Sequence, residues 1–351
     1  ERNQKIGRLR SIVSMEENEK NELTYVFKVV ELTTELLLED LDDSLSLDHH
    51  STLWNALKWS IDRAKTSSKD KISITNTNSS VASAFSCLMD VLLLLDSEYS
   101  LPSDEVPPPF VSTPSIELNR RKATDEGKST ILSYLSVRIG DLLRYKKDIP
   151  AAAKWYRFAI TVDPSNGEGW NQIGILSAQL GSPLDAVYSY YRALFTRSPS
   201  TIASSNILTI LDGQLDGADT EDMDDDTLVL HALALIHYLR PLPPSLLSRL
   251  SSLLRSPRRL LPFISQFSTS HSSTSTTLLS LFQKAFDNLQ KDIEDESSLS
   301  SSTVATLHLY SRVLPSSSQS IDNLLESRSL EETDLFQLDH FLCHPSPLLS
   351  Q

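Results

Sequence analysis

At 351 residues the chain is long enough for two domains or one extended helical array, and its 40% hydrophobic content can fill a core. Nine glycines are few, which argues against Gly-rich phosphate loops, and a net charge of −14 makes the chain a poor general binder of nucleic acid. Cys87 and Cys343 lie far apart and fit a reducing compartment rather than a disulfide framework, and no run of about eighteen apolar residues predicts a membrane span.

The chain opens without a recognisable signal peptide, and its first hundred residues predict three or four helices. Residues 21–38 and 52–65 have apolar side chains at helical spacing, the second stretch with Trp54 and Trp59, and 81–95 is apolar enough for a buried helix. A Ser/Thr/Asn run at 73–80 predicts a polar connection, and the acidic run at 39–43 a solvated loop. Successive prolines make 97–114 a loop, and a long helix is predicted from about 117 to 145.

From there the sequence repeats at an offset of 34: Gly140 returns as Gly174, Ala152 as Ala186, Tyr156 as Tyr190 and Ala159 as Ala193. This is the period of the tetratricopeptide repeat, a pair of antiparallel helices whose small residues lie where the helices meet and whose aromatic fills the groove. The two repeats span about 133–199, with Pro150 suited to a first helical turn and a third pair expected to start at Ser200. The acidic stretch 213–226 reads as a loop between two domains, residues 1–212 and 227–351. In the second domain 227–239 predicts an apolar helix, Pro241, Pro243 and Pro244 mark a boundary, and Leu-rich stretches separated by Ser/Thr linkers predict stacked helices. The fold class is all-α: helical hairpins followed by a stacked α-helical domain.

Signatures of catalysis are missing: there is no GxxxxGK[ST], GxGxxG or GxSxG. The segment His340–Phe341–Leu342–Cys343–His344 lacks a fourth ligand at sensible spacing, so no metal is predicted there. Neither an enzyme nor a cofactor is expected. One cluster is informative. Residues 119–147 contain eight basic side chains (Arg120, Arg121, Lys122, Lys128, Arg138, Arg144, Lys146 and Lys147) against three acidic ones, five positive charges within an acidic chain. Such a field suits a compact dianion such as a phosphorylated side chain; the bland alternative is a solvated basic helix face. On the earlier helix Lys58 and Lys65 are two turns apart and share a face.

The segment Gly140–Asp141–Leu142–Leu143–Arg144–Tyr145, followed by Ala152 to Tyr156, Pro164 to Gly167, Asn171–Gln172 and Tyr188 to Arg192, resembles the SMG adaptors of nonsense-mediated mRNA decay and their relative, the ever-shorter-telomeres protein. The resemblance covers about 53–208 and implies a 14-3-3-like domain of tetratricopeptide-type hairpins ahead of a further helical domain. Gly-Asp-x-x-Arg-Tyr is also similar to the motif by which 14-3-3 proteins hold phosphate. The resemblance therefore implies phosphopeptide binding by Lys58, Arg144 and Tyr145, with Lys65 and Arg63 as added cations and Asn171 on the ligand backbone. It further implies a non-enzymatic cytoplasmic adaptor, able to pass to the nucleus. Such an adaptor docks on the phosphorylated up-frameshift RNA helicase, pairs with a sister SMG protein and recruits decay or phosphatase factors, with no direct hold on nucleic acid or membrane. Two other readings stay open: a telomerase-associated RNA-binding relative, and a repeat scaffold without phosphate preference. A nuclease of the PIN type is not expected, because that domain needs clustered aspartates on an α/β fold and residues 242–351 are Leu/Ser-rich and helical.

Overall fold

The computed structural model describes residues 1–15, 22–66, 71–102, 106–109, 121–215, 222–238, 240–267, 272–293, 298–314 and 329–330. Arg120 and the segment from His340 to His344 fall outside these residues. The described chain is helical, apart from a two-residue parallel pairing of Ser298–Leu299 with Ser329–Leu330. It forms two compact units, Glu1–Asp163 and Pro164–Gln351.

The first unit contains α1 (Arg2–Val13), α2 (Glu22–Glu39), α3 (Leu41–Ser46), α4 (His49–Thr66), α5 (Lys71–Tyr99), α6 (Asp125–Tyr145) and α7 (Ile149–Val162). The pairs α1/α2, α2/α4, α4/α5, α5/α6 and α6/α7 pack in succession. Helix α5 is longer than predicted and takes in the run at 73–80. Extending an existing helix costs little once the apolar segment has nucleated it, and Thr75, Asn76, Asn78 and Ser79 lie exposed on its surface. Helix α6 starts later than predicted, because Thr124 caps it: the Thr124 hydroxyl accepts from the Gly127 N–H at 3.0 Å. The acidic run 39–43 is not a solvated loop. Asp42 accepts from the Thr124 backbone N–H and hydroxyl, Asp40 caps α3, and Glu39 and Asp43 bind Lys5 and Arg2 of α1.

The α6–α7 hairpin depends on Gly140. A Cβ there would lie 2.5 Å from the ring of Tyr156, which is fully buried in the groove the glycine leaves. The Ser133 hydroxyl donates to the Ala159 carbonyl at 3.0 Å across the same pair.

The second unit contains α8 (Gly167–Gln179), α9 (Pro183–Leu194), α10 (Ile202–Asp212), α11 (Asp225–His237), α12 (Pro244–Leu253), α13 (Pro257–Phe267), α14 (Ser272–Ile293) and α15 (Ser301–Val313). Its α8–α9 hairpin repeats the first: a Cβ on Gly174 would lie 2.4 Å from the ring of Tyr190. The division between units thus falls between the two repeats, not at the acidic loop 213–226. The reason is packing: α9 contacts α10, α11 and α13, and Leu184, Val187 and Tyr190 share one apolar core with Leu230, Leu250, Phe263 and Phe286. Nor do the prolines at 241–244 close a domain, because Pro244 opens α12 and Leu246 and Leu250 continue that core. An ion-pair hub stands at the start of α11. Asp226 accepts from Arg258 Nη2 at 2.6 Å and Arg259 Nη2 at 2.9 Å, and Arg258 also binds Asp185 of α9.

Candidate functional site: a cationic face on α4 and α6

Helix α4 buries Leu53, Trp54, Ala56, Leu57, Ile61 and Ala64, which leaves Lys58 and Lys65 exposed on a common face. Helix α6 is buried along nearly its whole length and presents Arg144 and Tyr145 at its C-terminal turn, where a cation is favoured by the helix dipole. Three contacts fix the two helices side by side. The His50 ring lies 4.5 Å from the Tyr134 ring, Arg138 Cζ lies 5.3 Å from the Trp54 ring, and Lys65 Nζ lies 4.7 Å from the Tyr145 ring. The order is the same along both chains, so α4 and α6 run in the same direction. Lys58, one turn beyond Trp54, therefore stands at the level of the last turns of α6.

Tyr145 gathers cations from both helices, since Arg144 Cζ lies 5.2 Å from the ring that also carries Lys65. Lys65 is held in addition by Asp62 at 3.0 Å. Arg144 is braced from below. Asp141, only 5% exposed at its side chain, accepts from Arg138 Nη1 at 3.0 Å on one oxygen. Its other oxygen accepts from the Tyr156 hydroxyl at 2.8 Å and from Arg144 Nη2 at 3.4 Å. Arg144 Nε closes the triangle on the Tyr156 hydroxyl at 3.3 Å. Its Nη1 makes no hydrogen bond to a described residue, and 19% of the side chain remains open to solvent. Burial acts to lower the pKa of Arg144, but the Tyr156 hydroxyl and the Asp141 carboxylate outweigh it and hold the group above its ordinary value. Burial also raises Tyr145 and Tyr156, which keeps both phenols protonated. A fixed guanidinium with a free edge, beside lysines on a neighbouring helix, can accept a compact oxyanion through charge-assisted hydrogen bonds.

The structure thus brings Arg144, Tyr145 and Lys65 together and sets Lys58 on the same face of α4 as Lys65. Arg63 goes elsewhere. Two residues before Lys65, it points to the far side of α4 and lies 5.2 Å over Trp59, whose ring packs on Tyr25 of α2. Asn171 belongs to the second unit, where it is buried and its Oδ1 accepts from Asn206 Nδ2 of α10 at 3.1 Å. Sequence reasoning missed the brace of Arg138, Asp141 and Tyr156, and missed Asn206. The three-residue steps from Arg138 to Asp141 to Arg144 were the available signal for the first.

These features define an all-helical protein of the 14-3-3-like, tetratricopeptide-hairpin class. Comparison with known proteins agrees. Residues 152–239 match the family model described as the Est1 DNA/RNA binding domain. The chain is 33% identical over 91 residues to nonsense-mediated mRNA decay factor SMG7 of Danio rerio, covering 26% of this chain and 8% of that protein. It is 30% identical over 79 residues to telomerase-binding protein EST1A of Danio rerio, covering 21% of this chain and 5% of that protein. The matched segments are therefore a small fraction of these curated relatives. The fold is similar to a chain in the structure of the C. elegans SMG5-SMG7 complex, with a TM-score of 0.77 at 22% identity, covering 93% of this chain and 86% of that one. Over the matched segments the chain is similar in sequence to SMG and Est1 proteins.

Proposed function

We propose that the first unit is a phosphoserine- or phosphothreonine-binding module of a non-enzymatic adaptor in nonsense-mediated mRNA decay. The observation that carries this reading is the gathering of Arg144 and Lys65 around Tyr145, with Arg144 braced by Asp141 and Tyr156. Arg144 supplies the fork to the phosphate oxygens, and Lys58 and Lys65 add positive charge. The phosphorylated up-frameshift RNA helicase is the natural target for this family. A sister SMG protein is the expected partner, in keeping with the complex named for the structural relative, and decay or phosphatase factors are recruited through other surfaces in the cytoplasm, with passage to the nucleus. Titration with paired phosphorylated and unphosphorylated helicase peptides tests the reading: a preference for the phosphorylated form that is lost in Arg144→Glu supports it, and equal affinities refute it.

A second reading follows from the matched family model, whose description names DNA and RNA. Residues 152–239 carry four basic side chains against eleven acidic ones, so the segment itself repels a phosphate backbone. Filter binding of single-stranded RNA at two salt concentrations separates the readings, because a polyanion contact weakens steeply with salt.

A further inference from the structure

A groove of about 240 Å³ opens between α1 and the start of α4, well away along α4 from Lys65. Ile6, Leu9, Val13 and Leu47 form its aliphatic wall, and Arg10, Ser14, His49 and Thr52 its polar part. Val13 and Leu47 each keep 40% of their surface exposed at the groove. Arg10 is exposed and makes no ion pair with a described residue, whereas Arg2 and Lys5 of the same helix are committed to Asp43, Glu35 and Glu39. His49, the first residue of α4, is 4% exposed, and its Nδ1 has no hydrogen-bond partner among the described residues. Of the described acids nearby, Asp43 is engaged with Arg2 and Asp48 with His50. Among the described residues, the groove is therefore an aliphatic notch with a cation that makes no ion pair, an imidazole nitrogen without a hydrogen bond and the positive end of a helix.

These features call for one carboxylate beside one branched aliphatic group, in a volume that suits a single residue rather than a continuous strand. We propose that the groove captures the C-terminal end of a partner chain that finishes in leucine or a similar aliphatic residue. Arg10 pairs with the terminal carboxylate, and the four aliphatic side chains enclose the terminal side chain. This site is independent of the phosphate-binding face.

The test is methyl NMR on the full chain with three small probes. N-acetyl-leucine offers a terminal carboxylate, N-acetyl-leucinamide removes it, and N-acetyl-aspartyl-leucinamide moves it to an internal side chain. The proposal expects N-acetyl-leucine to shift the Ile6, Leu9 and Leu47 methyls, with affinity about tenfold above both other probes, the scale of one lost charged hydrogen bond. Arg10→Gln should remove that discrimination, and Arg144→Glu should leave it intact. Absence of shifts, equal shifts from either control probe, or insensitivity to Arg10→Gln overturns the proposal.

Discussion

The Tyr156 hydroxyl of α7 donates to Asp141 of α6 at 2.8 Å and accepts from Arg144 at 3.3 Å, so one buried phenol ties the repeat core to the cationic surface. Tyr156 thus has two jobs. Its ring fills the notch left by Gly140, and its oxygen sets the height of Arg144. In Tyr156→Phe the ring stays and the oxygen goes. The expected loss is about 1 kcal/mol of stability in urea unfolding, since Asp141 retains both arginines. Phosphopeptide affinity should also fall, although the phenol lies beneath the guanidinium. Unchanged affinity would mean that Arg144 needs no brace.

The two glycine notches allow a paired comparison. A Cβ at Gly140 meets the Tyr156 ring at 2.5 Å, and one at Gly174 meets the Tyr190 ring at 2.4 Å. Both Gly→Ala variants should lose about 1–3 kcal/mol through overpacking. Only Gly140→Ala displaces the residue that braces Arg144. Phosphopeptide titration should therefore respond to Gly140→Ala and not to Gly174→Ala, at similar shifts in unfolding midpoint.

Two adjacent histidines give the first unit an acid-sensitive point. Burial lowers the pKa of His49 and of His50 below the usual imidazole value, with the Asp43 and Asp48 carboxylates opposing only in part. Arg2, Arg10 and Arg138 lower them further. The folded state therefore binds fewer protons than the unfolded state. Their contribution is complete above the unfolded imidazole pKa of about 6.5 and is lost as pH falls below it toward the depressed folded values. The urea midpoint should stay level from pH 8 to 7 and decline between pH 6.5 and 5. Replacing both histidines with glutamine should flatten that decline; an unchanged slope would place the acid sensitivity elsewhere.

The repeats were legible because a helical hairpin needs small residues against an aromatic at fixed positions, and Gly140/Tyr156 and Gly174/Tyr190 show that pattern at one offset. The unit boundary was not, because composition marks loops and not which core a helix joins; α9 shares apolar neighbours with α13, far along the chain. Helix α1 escaped notice because it fully buries only Leu9 and is held by Arg2 and Lys5 on acids that read as solvated loop. At the candidate site, Lys65, Arg144 and Tyr145 came from family resemblance, and the structure gathers them. Arg63 shares their composition but not their helix face. That distinction rests on the rotation of α4 about its axis, which the 3.6-residue period fixes once Leu57, Ile61 and Ala64 are known to be buried.

The hub at Asp226 carries the last prediction. Two arginines from α13 converge on this one carboxylate, and Asp185 takes the other side of Arg258. Asp226 is one-third exposed, so the pairs are partly screened by solvent. Removing the acid still leaves Arg258 and Arg259 facing each other at the junction of α11 and α13. Asp226→Ala should therefore lower stability by about 1–2 kcal/mol at low ionic strength. The deficit should narrow in 1 M NaCl, where the Debye length is about 3 Å and the partly exposed arginines no longer repel strongly. A deficit that does not change with salt would assign the loss to packing around α11 instead of to charge.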